Sequence, residues 1–443
     1  MVSNVSNRTG FTVKFFPIWF AATFSIISDM IAFMLDEVIM GQLFDDSSFA
    51  AINLTEPIAG IRFFISYMIC VGGAALILRA HGDGNKNRMS DIFSMSVILS
   101  ILSSVIMTLI LVIFDKQIIY FLSGGGELYD LVYECFTYDK LIPLIDIIYT
   151  FLYVFVLYFG GNIHAIIATF VSVSTNALFS VYFGGAIGIA GIRLGTLFSL
   201  ICSTLVLLTF FINKDKRLKL KWYMNIKDFI DICILGIPES TIFIALVILE
   251  AGTNLFAVSF YGVNEIVILS IAVNVYEIIF MIAEGITEYE TVAINEYLGR
   301  RDIEKLNQSL STAKKVALIE NGILIIFSLL FAGFVVSAFG IDDVNTTEAS
   351  INVVKIISIS SVFISLTRIL GIYYQYTNRI FIACIVFIFG IGVLPTIMGI
   401  LFGMINVILY AIGMVLASML FITVVYIHTR FIKHRKFLYL YEI

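Results

Sequence analysis

The sequence predicts an all-α polytopic membrane protein with twelve transmembrane helices in two pseudo-symmetric six-helix lobes. Three observations carry that prediction. The first is composition: of 443 residues 60% are hydrophobic and only 13% charged, against about 45–50% apolar and about 25% charged in soluble domains. A mean hydropathy of +1.01 likewise excludes a disordered chain, which could not leave so much apolar surface in water. The second is the grouping of apolar residues into runs long enough to span a bilayer, roughly 20 residues each. The third is the placing of basic residues between those runs.

The runs fall near 15–40, 52–78, 92–114, 129–158, 163–183, 187–212, 229–259, 266–293, 313–338, 351–374, 380–402 and 405–428. They are too long for barrel strands and lack period-two alternation, so they read as helices. With both termini in the cytoplasm, the inner segments hold Arg8 and Lys14; Arg79, Lys86 and Arg88; Lys214 to Lys227; Arg300 to Lys315; Arg379; and Arg430 to Lys436. These make 21 basic residues, against Lys116 alone in the outer loops. Such a split is the signature of cytoplasmic loops. The chain is therefore expected to be a multi-pass cell (inner, cytoplasmic) membrane protein with both ends inside, acting as a monomer in the lipid bilayer and binding no nucleic acid. No cleavable signal peptide is visible after Lys14, because the run is long and carries Asp29 and Asp36.

The polar stretch after the sixth run divides the chain into an amino-terminal lobe, 1–212, a cytoplasmic linker, 213–228, and a carboxy-terminal lobe, 229–443. The halves share a weak motif. Arg79-Ala-His-Gly-Asp-Gly-Asn-Lys86 follows the second run, and Glu296-Tyr-Leu-Gly-Arg-Arg-Asp-Ile-Glu304 follows the eighth, with Gly82 and Gly299 217 residues apart. An even number of helices per half gives both repeats the same membrane orientation.

Ionisable groups within a span cost about 2.5–3.5 kcal/mol each on the insertion scale, so they face a cavity or a partner. The first helix carries Asp29, Asp36 and Glu37, the second Glu56 and Arg62, the fourth Asp139, Lys140 and Asp146. The seventh has Glu239 and Glu250, the eighth Glu277, Glu284, Glu288 and Glu290, the ninth Glu320, and the tenth Lys355 and Arg368. Asp29 and Asp36 are seven apart, as are Glu277 and Glu284, so each pair shares one face of its helix. Glu56 with Arg62 and Asp139 with Lys140 are candidate pairs. Acids outnumber bases, which suits an interior that attracts cations, and Tyr149, Tyr153 and Tyr158 and the Tyr373, Tyr374, Tyr376 cluster suit bulky organic cations. The five cysteines have no metal-type spacing and read as small hydrophobes.

Asp36-Glu-Val-Ile-Met-Gly41 and then Phe49-Ala-Ala-Ile-Asn-Leu-Thr-Glu-Pro57 resemble the first two helices of the multidrug and toxic compound extrusion (MATE) family. Asn176-Ala-Leu-Phe-Ser180, Gly188-Ile-Ala-Gly-Ile-Arg-Leu-Gly-Thr196, Gly236-Ile-Pro238, Gly285-Ile286 with Asn295 and Gly299, and Leu394-Pro395 follow in the family's order. The resemblance implies two six-helix lobes that rock between outward- and inward-facing states, and export driven by inward sodium or proton movement. It also implies an amino-lobe ion-coupling site of Asp36, Asn176 and Thr196, with Ser180 standing where the family branch has an Asp. Sodium is expected at Asp36, Asn176 and Thr196, or a proton at Asp36. A carboxylate taken out of water gives up its free charge by binding one or the other. No other cofactor is expected.

The leading reading is a secondary multidrug exporter of organic cations or amphiphiles working by alternating access, with Glu250, Glu277 and Glu284 binding substrate. A flippase for a lipid-linked saccharide is the alternative, and would want a basic cavity for pyrophosphate. An enzyme is not expected: no HExxH or Gly-rich phosphate loop occurs. A channel fits duplicated lobes with scattered buried acids less well than a carrier does. Topology is directly measurable: Asn345→Cys should label from outside and Leu220→Cys from inside with an impermeant maleimide, and the opposite pattern at either position would overturn the arrangement.

Overall fold

The structure, a computed structural model, describes residues 15–25, 27–28, 44, 51, 54–125, 128–212, 218–261, 263–337 and 343–433. Among these residues ten helices are long and apolar enough to cross a membrane, or eleven when Tyr129–Asp139 and Pro143–Tyr158, bent by 50°, count as one span. The eleven coincide with the second to twelfth predicted runs. The first is represented by the apolar helix Phe15–Ser25, and Asp29, Asp36 and Glu37 lie outside the described residues. Packing gathers the chain into two compact units, residues 1–236 with 295–301, and residues 237–294 with 302–443.

The first unit contains α1 (Phe15–Ser25), α2 (Glu56–Gly82), α3 (Lys86–Ile113), α4 (Asp115–Ser123), α5 (Tyr129–Asp139), α6 (Pro143–Tyr158), α7 (Asn162–Ile187) and α8 (Ile189–Leu208). Its punctuation is chemical. Gly84, at φ +75°, turns the chain after α2, and the Asn85 side chain accepts from the Arg88 N–H to cap α3. Pro143 opens α6, where its missing N–H costs nothing, and the predicted fourth run bends there. Gly188, at φ +76°, ψ −158°, turns α7 into α8. The two then touch backbone to backbone: a Cβ on Gly191 would lie 2.1 Å from the Phe183 carbonyl oxygen, and one on Gly195 2.6 Å from the Ser180 nitrogen. Small residues at such a seam let helices approach closely where lipid supplies no hydrophobic drive.

The two Gly turns that suggested a repeat pack on each other. A Cβ on Gly82 would lie 2.2 Å from the Glu296 carbonyl oxygen, and one on Gly299 2.1 Å from that of Arg79. Polar side chains tie the same crossing. Arg79 Nε donates to Asn295 Oδ1 at 2.9 Å, Arg300 Nε to Glu296 Oε1 at 2.8 Å, and His81 Nδ1 lies 2.7 Å from Glu296 Oε2. Each motif thus supplies both the bare backbone and the hydrogen-bonding groups that the other needs.

Helices α9 (Ile226–Phe260), α10 (Val263–Ile282), α11 (Glu284–Arg300), α12 (Ile303–Ser337), α13 (Val344–Ser358), α14 (Ser360–Tyr376), α15 (Ile380–Phe387), α16 (Leu394–Gly403) and α17 (Val407–Lys433) complete the chain. Asp343 caps α13, accepting from the Thr346 hydroxyl and N–H at 2.7 Å each, and these bonds hold its carboxyl below the usual carboxylate range. Between α15 and α16 the chain makes a π-helical turn, Ile388–Val393, just before Pro395. Proline has no N–H to give and its ring collides with the carbonyl four residues back, here Ile391. The wider turn relieves the collision, and the Tyr276 hydroxyl donates to the Ile391 oxygen at 3.1 Å. A Cβ on Gly392, in the same turn, would lie 2.4 Å from the Ala245 carbonyl oxygen, so α9 packs there at backbone distance.

Tyr276→Phe should therefore destabilise the protein by about 1–3 kcal/mol through the unsatisfied carbonyl, seen as a lower melting temperature in detergent. In a Pro395→Ala background the penalty should shrink, because residue 395 then has an N–H to offer. An equal loss in both backgrounds would show that Tyr276 does not serve this carbonyl.

Candidate functional site

In the first unit, Asn176 and Ser180 sit one turn apart on α7, both buried, and the Ser180 hydroxyl donates to Asn176 Oδ1 at 2.7 Å. Thr196 lies half-buried on α8, its hydroxyl donating to the Ile192 carbonyl at 3.3 Å. Gly195 is what lets α8 come against the Ser180 backbone. The α7–α8 hairpin therefore carries all three of the expected neutral oxygen donors. Asp36, the expected carboxylate, lies outside the described residues.

The membrane charges of this unit are paired across helices rather than with their sequence neighbours. Arg62 Nε is 2.8 Å from Asp146 Oδ2, joining α2 to α6. Arg193 Nε is 3.7 Å from Asp139 Oδ1 and its guanidinium donates to the Thr55 hydroxyl at 3.0 Å. Lys140 Nζ reaches Asp115 at 3.1 Å and holds that carboxyl below its ordinary range. This corrects the expected pairing of Asp139 with Lys140. A residue next in sequence points away around a helix, whereas α8 brings Arg193 alongside. Arg62 pairs with Asp146, and the side chain of Glu56, its expected partner, lies outside the described residues.

The second unit gathers the acids. Arg368 on α14 is 1% exposed. Its guanidinium pairs with Glu284, donates to the Phe280 carbonyl at 3.4 Å and lies 4.3 Å above the Phe280 ring. Neither α9 nor α11 carries a base in mid-span, and Glu284 has its counter-charge from α14. Glu239, directly after Pro238, is 3% exposed and accepts from Gln375 Nε2 at 3.3 Å. Both Glu284 and Arg368 act on it electrostatically. Two acids thus lie within the electrostatic reach of one guanidinium. Glu277 is half-buried on α10, with the exposed Glu250 of α9 as its electrostatic neighbour. Glu290, fully buried, has no hydrogen-bond partner on either oxygen among the described residues and feels the charge of Lys314.

Glu239 was absent from the expected site. Seven-residue spacing finds acids that share a face of one helix, whereas the partner of Glu239 is 136 residues away. Its position beside the α9 proline was the only signal available. Among the described residues no group of three or more His, Cys, Asp or Glu side chains is arranged to hold a metal ion.

Removing one partner of a buried ion pair costs roughly 3–5 kcal/mol, because a bare charge is left behind. Arg368→Met alone should accordingly lower stability sharply, and Arg368→Met with Glu284→Gln should recover most of it. If the double variant melts no higher than the single one, the pair does not govern the stability of this cluster.

A MatE family model matches residues 21–183. The multidrug export protein MepA of Staphylococcus saprophyticus is 24% identical over 243 residues, 52% of this chain and 54% of the relative, so the chain matches about half the length of that curated protein. Among solved structures, MATE in the straight conformation superposes with a TM-score of 0.85 at 19% identity, covering 94% of each chain. An outward-facing multidrug resistance MATE family transporter of the MOP superfamily gives 0.84 at 18%, again covering 94% of each. A MOP superfamily transporter from Pyrococcus furiosus, described as having a binding pocket of reversed polarity that suggests a different function, gives 0.85 at 18% over 94% of each. These matches bear out the resemblance read from the residues: the chain is an all-α membrane protein with the fold of the solved multidrug and toxic compound extrusion transporters, and the model of that family matches its residues 21–183.

Proposed function

We propose that the protein is a secondary active exporter of organic cations or cationic amphiphiles, working by alternating access and driven by inward sodium or proton movement. The observation that carries this reading is the surplus of acids in the second unit: Glu284 pairs with Arg368, both act electrostatically on the buried Glu239, and Glu250 and Glu277 are electrostatic neighbours. Such a surplus is stabilised by a cation, and nearby aromatic rings add attraction for an organic one. The similarity to a multidrug export protein supports the same reading. Coupling falls to Asp36, with the Asn176, Ser180 and Thr196 oxygens of the α7–α8 hairpin as neutral donors. One carboxylate among neutral donors suits one monovalent ion per turnover. The protein works as a carrier and not as an enzyme, with both termini on the cytoplasmic side, as the basic residues direct.

A lipid-linked saccharide flippase fits less well. Pyrophosphate needs basic residues to spare, whereas Arg62, Arg193 and Arg368 each stand opposite a carboxylate.

In proteoliposomes with sodium and proton gradients imposed separately, the wild type should expel a cationic dye under one of them. Asp36→Asn should bind the dye but fail to export it. Glu250→Gln with Glu277→Gln should weaken dye binding by about tenfold or more, the scale of a charge-assisted contact. Wild-type export by Asp36→Asn under either gradient would move coupling elsewhere, and unchanged dye affinity in the double variant would remove Glu250 and Glu277 from the substrate site.

A further inference from the structure

The segment that leads into α9 is fastened to its own unit along one side. Ser94 of α3 accepts from the Lys221 N–H at 3.1 Å, the Lys221 ammonium pairs with Asp91, and the Tyr223 hydroxyl donates to Asp228 Oδ2 at 2.7 Å. Asp228 is in turn held by both terminal nitrogens of Arg88, at 2.7 Å each. The Lys221 and Tyr223 side chains therefore fold back on Asp91 and Asp228, Tyr223 half-buried and Lys221 still 47% exposed. Between and beside them stand Leu220, Trp222, Met224 and Ile226, all apolar and 66%, 87%, 51% and 74% exposed.

The exposed ridge continues without a break into Phe229, Ile230 and Ile234, the outward apolar residues of the first turns of α9. Those turns belong to a candidate membrane span, Ile226–Ala257, so the ridge runs on from surface that faces lipid. Its flanks are basic. Lys219 and Lys227 are exposed beside it, and Lys214, Lys216 and Arg217 precede it in sequence. A tryptophan with apolar neighbours and a lysine-rich border is the chemistry of a segment lying in a lipid headgroup layer, and anionic headgroups attract each such lysine.

We propose that the ridge of Leu220, Trp222, Met224 and Ile226 is an interfacial anchor that seats in the headgroup layer of the bilayer's inner face, with Lys219 and Lys227 selecting anionic lipid. Seating would bury the ridge where α9 enters the membrane, while the Asp91, Ser94 and Asp228 contacts keep its polar side on the protein. The inference needs only that α9 spans the bilayer, and it stands apart from the substrate and the coupling ion.

The test uses the full chain carrying Trp19→Phe, which leaves Trp222 as the sole tryptophan. It is reconstituted in vesicles of phosphatidylcholine, with or without phosphatidylglycerol, containing lipid with a spin-label quencher placed shallow or deep. Trp222 emission should shift to the blue and lose acrylamide accessibility as phosphatidylglycerol is added, and shallow labels should quench it more than deep ones. Lys219→Gln and Lys227→Gln should each raise the phosphatidylglycerol fraction at half-maximal shift by up to about fivefold, the weight of one lysine near an anionic surface. Full acrylamide accessibility in every lipid would overturn the proposal. So would shielding that is equal in both lipids, or that follows protein density in the vesicles, which would make a second copy the occupant.

Discussion

The constraint on which this structure depends is the lack of water in the bilayer core, which obliges every charge placed there to find its counter-charge on the protein. Three arginines within the described spans show the rule at work. Arg62 meets Asp146, Arg193 meets Asp139, and Arg368 meets Glu284. Each pair joins two different helices, so charge compensation also fixes which helices are neighbours. Other acids of the second unit then stand out. Glu239 shares a guanidinium already engaged, Glu250 and Glu277 neighbour each other, and Glu290 is buried without a hydrogen bond among the described residues.

The same absence of water governs the backbone. A carbonyl freed by proline has no solvent to turn to, and the Tyr276 hydroxyl takes over at Ile391 within a π-helical turn. Helices gain nothing hydrophobic by leaving lipid for one another, so they hold together by close contact and by polar ties. Gly191 and Gly195 allow that contact between α7 and α8, and through it Thr196 shares a hairpin with Ser180 and Asn176. Gly82 and Gly299 allow it where the two repeated motifs cross, and the Arg79, His81, Asn295, Glu296 and Arg300 side chains bind the crossing together.

The family pattern and the geometry bear on different parts of the chain. The matched family region covers residues 21–183, within the amino-terminal half, where the Ser180 hydroxyl donates to Asn176. The acids of the second unit meet through α14, whose Arg368 pairs with Glu284 of α11 and whose Gln375 donates to Glu239 of α9.

Much of the fold was legible in the sequence because a spanning helix is written locally, as some twenty apolar residues between polar borders. Eleven of the twelve runs and the Gly turns could be read that way, and so could the resemblance through Gly188-Ile-Ala-Gly191 and Leu394-Pro395, whereas the bend at Pro143 within the fourth run emerged only in the structure. The same reading found the acids, since a charge in an apolar run is conspicuous wherever it stands. Their partners were out of reach. Asp139 beside Lys140 looked like a pair, yet Arg193 took Asp139, and Glu284 looked bare until α14 brought Arg368 to it. Adjacency in sequence sets two side chains about 100° apart around a helix, while contact across helices depends on which faces pack. The sequence by itself determined where helices lie and which of them carry charge; only the tertiary structure decided which charges cancel, because that is a property of helix faces brought together from distant parts of the chain.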